Sequence, residues 1–289
     1  MKPAPFDYIA PRSVTDVVAL LADEDREAKV VAGGQSLIPM LNMRLARPEL
    51  LVDITRVPEL DRLYVDTAGD LHIGAAVRQA RAAADPGVRR GWPLLAAAVE
   101  HIGHPQIRNR GTVCGSLVHH DPAAELPAAA LALDARFVVT GPCGTRTVGA
   151  EDFFVATFQT AVEPDELLTE IVLPARDGHG WAFEELARRH GDFATVGVAV
   201  RLDLASGAST VRGARVVFCG AGATPVQLSA AEAALTGTDC GEAALDAAAH
   251  AVLTHLTPPD DVHATAVYRR EAAAHLFVRA VTAARERRS

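Results

Sequence analysis

Two glycine-rich segments hold the residues best suited to ligand chemistry. The first is Val30-Val31-Ala32-Gly33-Gly34-Gln35-Ser36-Leu37, and the second is Ile107-Arg108-Asn109-Arg110-Gly111-Thr112-Val113-Cys114-Gly115-Ser116. Each has an apolar lead-in, small residues at a turn, and then a hydroxyl. Glycine lets the backbone turn tightly and lets its N–H groups approach a ligand. Successive N–H groups in such a turn form an anion-binding concavity. Two such turns suggest a ligand with two phosphates, gripped from both sides. Neither segment is the G-x-G-x-x-G of dinucleotide-binding folds, and neither contains the Gly-Lys-Ser/Thr of a P-loop.

Other polar groups read more plainly. His119 and His120 are adjacent, and adjacent residues of a strand face opposite sides, so they make a poor metal pair and read as loop residues. Asp53 is placed to order the loop after its strand. Asp261–Arg270 reads as a helix start with solvated basic side chains. Cys114, Cys143, Cys219 and Cys240 are scattered, with no C-x-x-C pair. That spacing suits neither an iron–sulfur cluster nor structural zinc, and it fits a reducing compartment better than a disulfide framework.

The elements that must position these residues follow from pattern. Ser13-Val14-Thr15-Asp16 resembles a capping box before a short amphipathic helix. Strands are expected over Lys29–Ala32 and Leu50–Ile54, with a helix over Leu37–Leu45 after the first glycine turn. Hairpins are expected at Leu63–Val65 with Leu71–Ile73, and at Phe137–Thr140 with Arg146–Val148. Pro93–Ile102 reads as a helix and Leu167–Leu173 as a strand. Asp177-Gly178-His179-Gly180 is the best linker. Strand-like runs follow at Trp181–Leu186, Val196–Leu204 and Val211–Cys219, and then helical runs at Ser229–Leu235, Glu242–Leu256 and His263–Arg285. Strands first and helices afterwards indicate an α+β domain.

The chain of 289 residues is long enough for two or three subdomains. Its hydrophobic content of 49% supports a sizeable core, and its net charge of −8 argues against a nucleic-acid partner. No apolar run approaches the length of a membrane span. The N-terminus lacks a signal-peptide core, so a cytoplasmic location is expected.

The order of motifs resembles that of one family. The two glycine segments are followed by Asp121-Pro122-Ala123-Ala124-Glu125, by Arg188-Arg189-His190-Gly191-Asp192-Phe193-Ala194, and by Asp261-Val262-His263-Ala264-Thr265-Ala266-Val267-Tyr268-Arg269-Arg270. Leu45–Ile54 and Pro164–Pro174 also fit. This series resembles the FAD-binding medium subunit of the molybdenum hydroxylases, of carbon monoxide dehydrogenase and xanthine dehydrogenase type, over nearly the whole chain.

The resemblance implies a p-cresol methylhydroxylase-like FAD-binding fold. Residues 1–176 would form the FAD-binding domain, as α/β subdomains of about 1–56 and 57–176. Residues 181–289 would form a C-terminal domain of antiparallel sheet and helices. Ala32, Gly33, Gly34, Gln35, Ser36 and Leu37 would hold the FAD pyrophosphate. Thr112, Cys114, Gly115 and Ser116 would wrap its other side. Ile102 would lie by the adenine or loop wall. Asp121, Ala124 and Glu125 would lie near the ribityl chain and the polar ring edge. Leu168 would pack on the cofactor, and Phe193 beside the isoalloxazine.

Molybdenum–molybdopterin and two [2Fe–2S] clusters would belong to a large and a small partner subunit, in a dimer of heterotrimers. The implied function is electron transfer, from the partner's clusters through non-covalent FAD to an external acceptor. Two other readings are a self-sufficient flavin oxidase or reductase and a scaffold that has lost flavin. Cys114 stands where the family usually has glycine. It reads either as a thiol beside the cofactor or as a small side chain tolerated at a turn, with strain if the site needs positive φ.

Overall fold

A computed structural model of the chain describes residues 2–175, 179–204 and 210–287. Its packing forms two compact units. The first comprises the chain up to Ala82, His104–His119 and Ala135–Pro174; the second comprises Ala83–Gly103, His120–Asp134 and the chain from Ala175 onwards.

The first unit contains two larger sheets. The strands Asp7–Ile9, Leu50–Asp53 and Ala28–Val31 run parallel, with Leu50–Asp53 in the middle. A central parallel strand is covered on both faces and reads as an unbroken apolar run, which is why Leu50, Leu51 and Val52 are all buried. The helix Val14–Leu21 carries the chain between two of these strands, capped by the Ser13 hydroxyl, which accepts from Asp16 N. The second sheet is antiparallel, in the order Leu63–Val65, Leu71–Gly74, Leu167–Leu173, Arg136–Gly141, Gly144–Gly149. Both expected hairpins are present in it. Phe137, Phe153 and Phe154 form an aromatic cluster, with the first two rings stacked at 3.7 Å between centroids.

The second unit is built on an antiparallel sheet of His179–Ala187, Ala194–Leu204, Val211–Cys219 and Val226–Gln227. Val196, Val198, Val200, Leu202 and Leu204 share one face by the two-residue period. They pack with residues of the helices Ser229–Leu235, Glu242–His255 and Ala266–Glu286. On the opposite face, Phe183 meets His101 and Arg201 Nη1 donates to Ala132 O at 2.6 Å. That face is therefore covered by the helices Pro93–His101 and Glu125–Ala132. Cover on both faces explains why Ala194–Leu204 is almost entirely apolar and buried. The Glu125–Ala132 helix is buried along its whole length, so it shows no apolar stripe to a sequence reader.

The architecture is α+β, as expected. His179 and Gly180, expected in a linker, open a strand; Asp177 and Gly178 lie outside the described residues.

Candidate functional site

The first glycine segment leaves the strand Ala28–Val31 and enters the helix Leu37–Asn42. Gly34 sits at φ +72°, a conformation that side-chain-bearing residues seldom adopt. The turn closes with Gln35 Nε2 donating to Gly33 O at 3.1 Å and Ile38 N donating to Gly34 O at 3.1 Å. Among the described residues, the N–H groups of Gly34, Gln35, Ser36 and Leu37 find no acceptor, and the Ser36 hydroxyl makes no capping bond. Four consecutive free donors leading into a helix are what an anion requires.

The second segment lies directly against the first. A Cβ on Gly33 would stand 2.5 Å from Arg110 O and 2.7 Å from Gly111 Cα. Only a hydrogen at that position lets the two backbones meet. Gly111 O accepts from Gln79 N at 2.9 Å, and Val113 N donates to Val77 O at 3.1 Å. Arg78 donates to Arg110 O, and the buried Gln79 side chain reaches Thr112 O at 3.4 Å. Burial, then the charge of Arg110, make the Arg78 cation less comfortable. A nearby anion would favour the charged form of Arg78. Sequence reading missed Arg78 and Gln79, because nothing in their spacing marks them as supports for a distant loop.

The second segment is helical where a loop was expected. Val113–His119 is a helix, and the Thr112 hydroxyl accepts from Gly115 N at 3.0 Å. Cys114 lies in its first turn without positive φ, so the expected strain is absent. Its thiol is buried and donates to Ile73 O at 3.5 Å. Burial raises its pKa strongly, which makes it inert rather than redox-sensitive. Gly115 is exposed and Ser116 half-buried. His119 closes the helix and packs on Phe158, and His120 follows at φ +47°, fully buried; neither belongs to a strand or to an open polar loop. Leu168 is buried in Leu167–Leu173, beside a shift of register. Asp53 accepts from Tyr8 and from Thr55 N, so it orders its loop as expected.

The remaining predicted residues belong to the second unit. Asp121 accepts from Ala123 N at 2.9 Å and shapes the turn into the Glu125–Ala132 helix. Ala124 is buried, and Ile102 caps the end of Pro93–His101, half-buried. Phe193 is 64% exposed, which rules out an ordinary core role within this chain. Glu125 is only 4% exposed. Burial, reinforced by the charge of Glu185, pushes its pKa up to about 8.

Glu185, which sequence reading missed, pairs across the sheet with Gly197, which in turn pairs with Cys219. His101 Nδ1 is 3.3 Å from Glu185 Oε1, and that contact raises the His101 pKa. Among the described residues Glu185 Oε2 has no hydrogen-bond partner. Glu125 and the Glu185 side chain are buried and His101 is half-buried, and together they form a cluster able to hold a proton. Cross-strand register assembles it, and a single strand's sequence cannot display that. Asp261–Arg270 also differs from expectation: Arg269 is 4% exposed, not solvated.

Comparison with known proteins identifies the family. Residues 4–176 match the FAD binding domain in molybdopterin dehydrogenase, and residues 181–284 match the CO dehydrogenase flavoprotein C-terminal domain. The chain is 41% identical to the 6-hydroxypseudooxynicotine dehydrogenase complex subunit alpha of Paenarthrobacter nicotinovorans, over 94% of this chain and 91% of that one. It is 39% identical to the carbon monoxide dehydrogenase medium chain of Hydrogenophaga pseudoflava, over 98% of each. A solved structure of carbon monoxide dehydrogenase from Hydrogenophaga pseudoflava superposes with a TM-score of 0.95 at 40% identity, covering both chains completely.

The chain belongs to the family of FAD-binding subunits of the molybdopterin-containing dehydrogenases. It is thus a flavoprotein component of an oxidoreductase, with FAD as its cofactor. The free N–H run at Gly34–Leu37 and the neighbouring Arg78–Arg110 pair suit a diphosphate without a lysine, and no lysine occurs in either glycine segment.

Proposed function

We propose that this chain is the electron-transfer subunit of a heteromeric molybdenum hydroxylase. It would take electrons from the [2Fe–2S] clusters of a small partner subunit and deliver them to an external acceptor, while a large molybdopterin-binding subunit oxidises the substrate. The observation that carries this reading is the backbone cradle: four free N–H groups at Gly34–Leu37, packed on Arg110 and Gly111. FAD, when bound, supplies the two-electron redox chemistry, and the protein supplies position and electrostatics.

In this reading Ala32–Leu37 and Thr112–Ser116 hold the pyrophosphate. Leu168 and Ile102 wall the cofactor. Asp121, Ala124 and Glu125 meet its ribityl chain and polar ring edge, and Phe193 lies beside its ring. These assignments rest on the motif resemblance. A protonated Glu125 would present a donor to that edge at neutral pH, in keeping with its raised pKa.

The substrate is set elsewhere in the assembly. Two relatives of nearly equal identity bear the names of complexes for carbon monoxide and for a nicotine derivative. Subunits this similar in complexes of such different substrates support a shared electron-transfer role. The assembly would be a dimer of heterotrimers in the cytoplasm, a location that suits cysteines left free as thiols.

The test is rapid-mixing spectroscopy of the purified complex. Added substrate should bleach the iron–sulfur absorbance and then the flavin absorbance, and acceptor should restore the flavin. Purification of a lone chain that oxidises substrate by itself would overturn the proposal in favour of a self-sufficient flavoenzyme.

A further inference from the structure

Arg269 lies in the first turns of the helix Ala266–Glu286 and is almost wholly buried. Its Nη1 donates to two carbonyls, Thr195 O and Gly220 O, the latter at 3.0 Å. Its Nη2 donates to Asp261. Asp261 is itself fixed by the N–H groups of His263 at 2.8 Å and Ala264 at 3.0 Å. The Arg269 Nε has no hydrogen-bond partner among the described residues.

The two carbonyls belong to different segments. Thr195 follows Phe193 by two residues, at the start of Ala194–Leu204. Gly220 follows the end of Val211–Cys219, and its N–H donates to Pro122 O at 2.8 Å, next to Asp121. The segments also touch directly, since a Cβ on Gly220 would stand 2.7 Å from Thr195 O. One guanidinium therefore joins the strand start after Phe193 to Gly220, whose own N–H holds the turn that leads into Glu125.

Burying a guanidinium incurs a desolvation cost that well-packed apolar side chains would avoid. A buried arginine is thus a poor device for stability alone. It is a good device for fixing two backbone segments at once, because its planar fork sets direction as well as distance.

We propose that Arg269, held by Asp261, is a positioning residue for the flavin, fixing the Phe193 segment against the Asp121–Glu125 turn. The proposal rests on the reading of those two segments as cofactor-facing. Asp261 is a suitable anchor for the guanidinium. The N–H group of Ala264, then that of His263, then Arg269 pull its pKa down to about 2, so it stays ionised. The Asp261–Arg270 motif gains a role in this way.

The experiment compares Asp261→Asn, Arg269→Lys and Arg269→Met in the full chain, purified with its partner subunits. Arg279→Ala, on the same helix in an exposed ion pair with Glu184, serves as control. Visible circular dichroism and fluorescence of the bound flavin, its midpoint potential and the FAD content are measured. FAD should be retained, because the glycine cradle is untouched. The flavin signature and potential should shift, and reoxidation should slow severalfold. Arg269→Lys should fall between wild type and Arg269→Met, since an ammonium cannot hold both carbonyls and the carboxylate in one plane. An unchanged flavin spectrum and potential in folded Asp261→Asn and Arg269→Lys would overturn the positioning role, whatever the loss of thermal stability. Absence of FAD from the wild-type protein would instead remove the cofactor reading.

Discussion

The two units offer their polar groups in opposite ways. In the first, the donors are backbone N–H groups, exposed by a turn that needs glycine at positions 33 and 34. In the second, the polar groups are side chains: the buried Glu125, Glu185 and Arg269, and the half-buried His101. A backbone cradle keeps its charge pattern at every pH and fails through shape. A side-chain cluster keeps its shape and changes with protonation. One molecule thus sets a backbone cradle beside a titratable side-chain cluster in its make-up.

The largest effect should come from breaking the shape of the first. Gly33→Val would drive side-chain atoms into Arg110 O and Gly111 Cα. Overpacking of this kind costs about 1–3 kcal/mol, and here it falls on the contact that aligns the two segments. FAD content of the folded variant, measured after gel filtration, should fall close to zero. Near-normal FAD would remove the first segment from the site.

Glu125 tests the second. Its folded pKa of about 8 lies above the ordinary carboxylate value of 4.5. The folded state therefore holds a proton that the unfolded chain releases between those values. The stability contributed by this group is fully present below the ordinary value and is lost as pH rises through about 8, by up to about 1.4 kcal/mol per pH unit. Glu125→Gln should flatten that fall, as read from urea midpoints between the two pH limits. A wild-type stability that rises over the same range would contradict the buried neutral carboxyl.

The same contrast explains what could be read from the sequence. The turn at Gly33 and Gly34 was legible because a tight backbone turn writes itself as a local glycine pattern. The strands were legible where one face or both are apolar, as in Leu50–Asp53 and Ala194–Leu204. The Val113–His119 helix was not, because its glycine and cysteine imitate a loop. Glu185 was not, because its neighbours Gly197 and Cys219 are set by cross-strand register. Arg269 was misread as solvated, since a helix start does not reveal which side chains fold inward.

A smaller effect is expected at Phe193. Its ring is exposed in this chain, so Phe193→Ala should change stability by less than about 0.5 kcal/mol. If the ring lies beside the isoalloxazine, FAD binding should weaken by about 0.5–1.5 kcal/mol, with altered flavin fluorescence. An unchanged flavin signature would detach Phe193 from the cofactor. The smallest effect concerns thiols. Cys143 is exposed, whereas Cys114, Cys219 and Cys240 are buried. The native chain should react rapidly with a thiol reagent at Cys143 alone, and mass mapping of a labelled Cys114 would contradict its burial.

The most direct test of the backbone cradle is the flavin itself. Acid precipitation of the purified protein, followed by chromatography of the supernatant, should yield one FAD per chain and a colourless pellet. Released FMN, which has a single phosphate, would contradict a cradle for a pyrophosphate. A yellow pellet would contradict a cofactor held by N–H groups without a covalent bond.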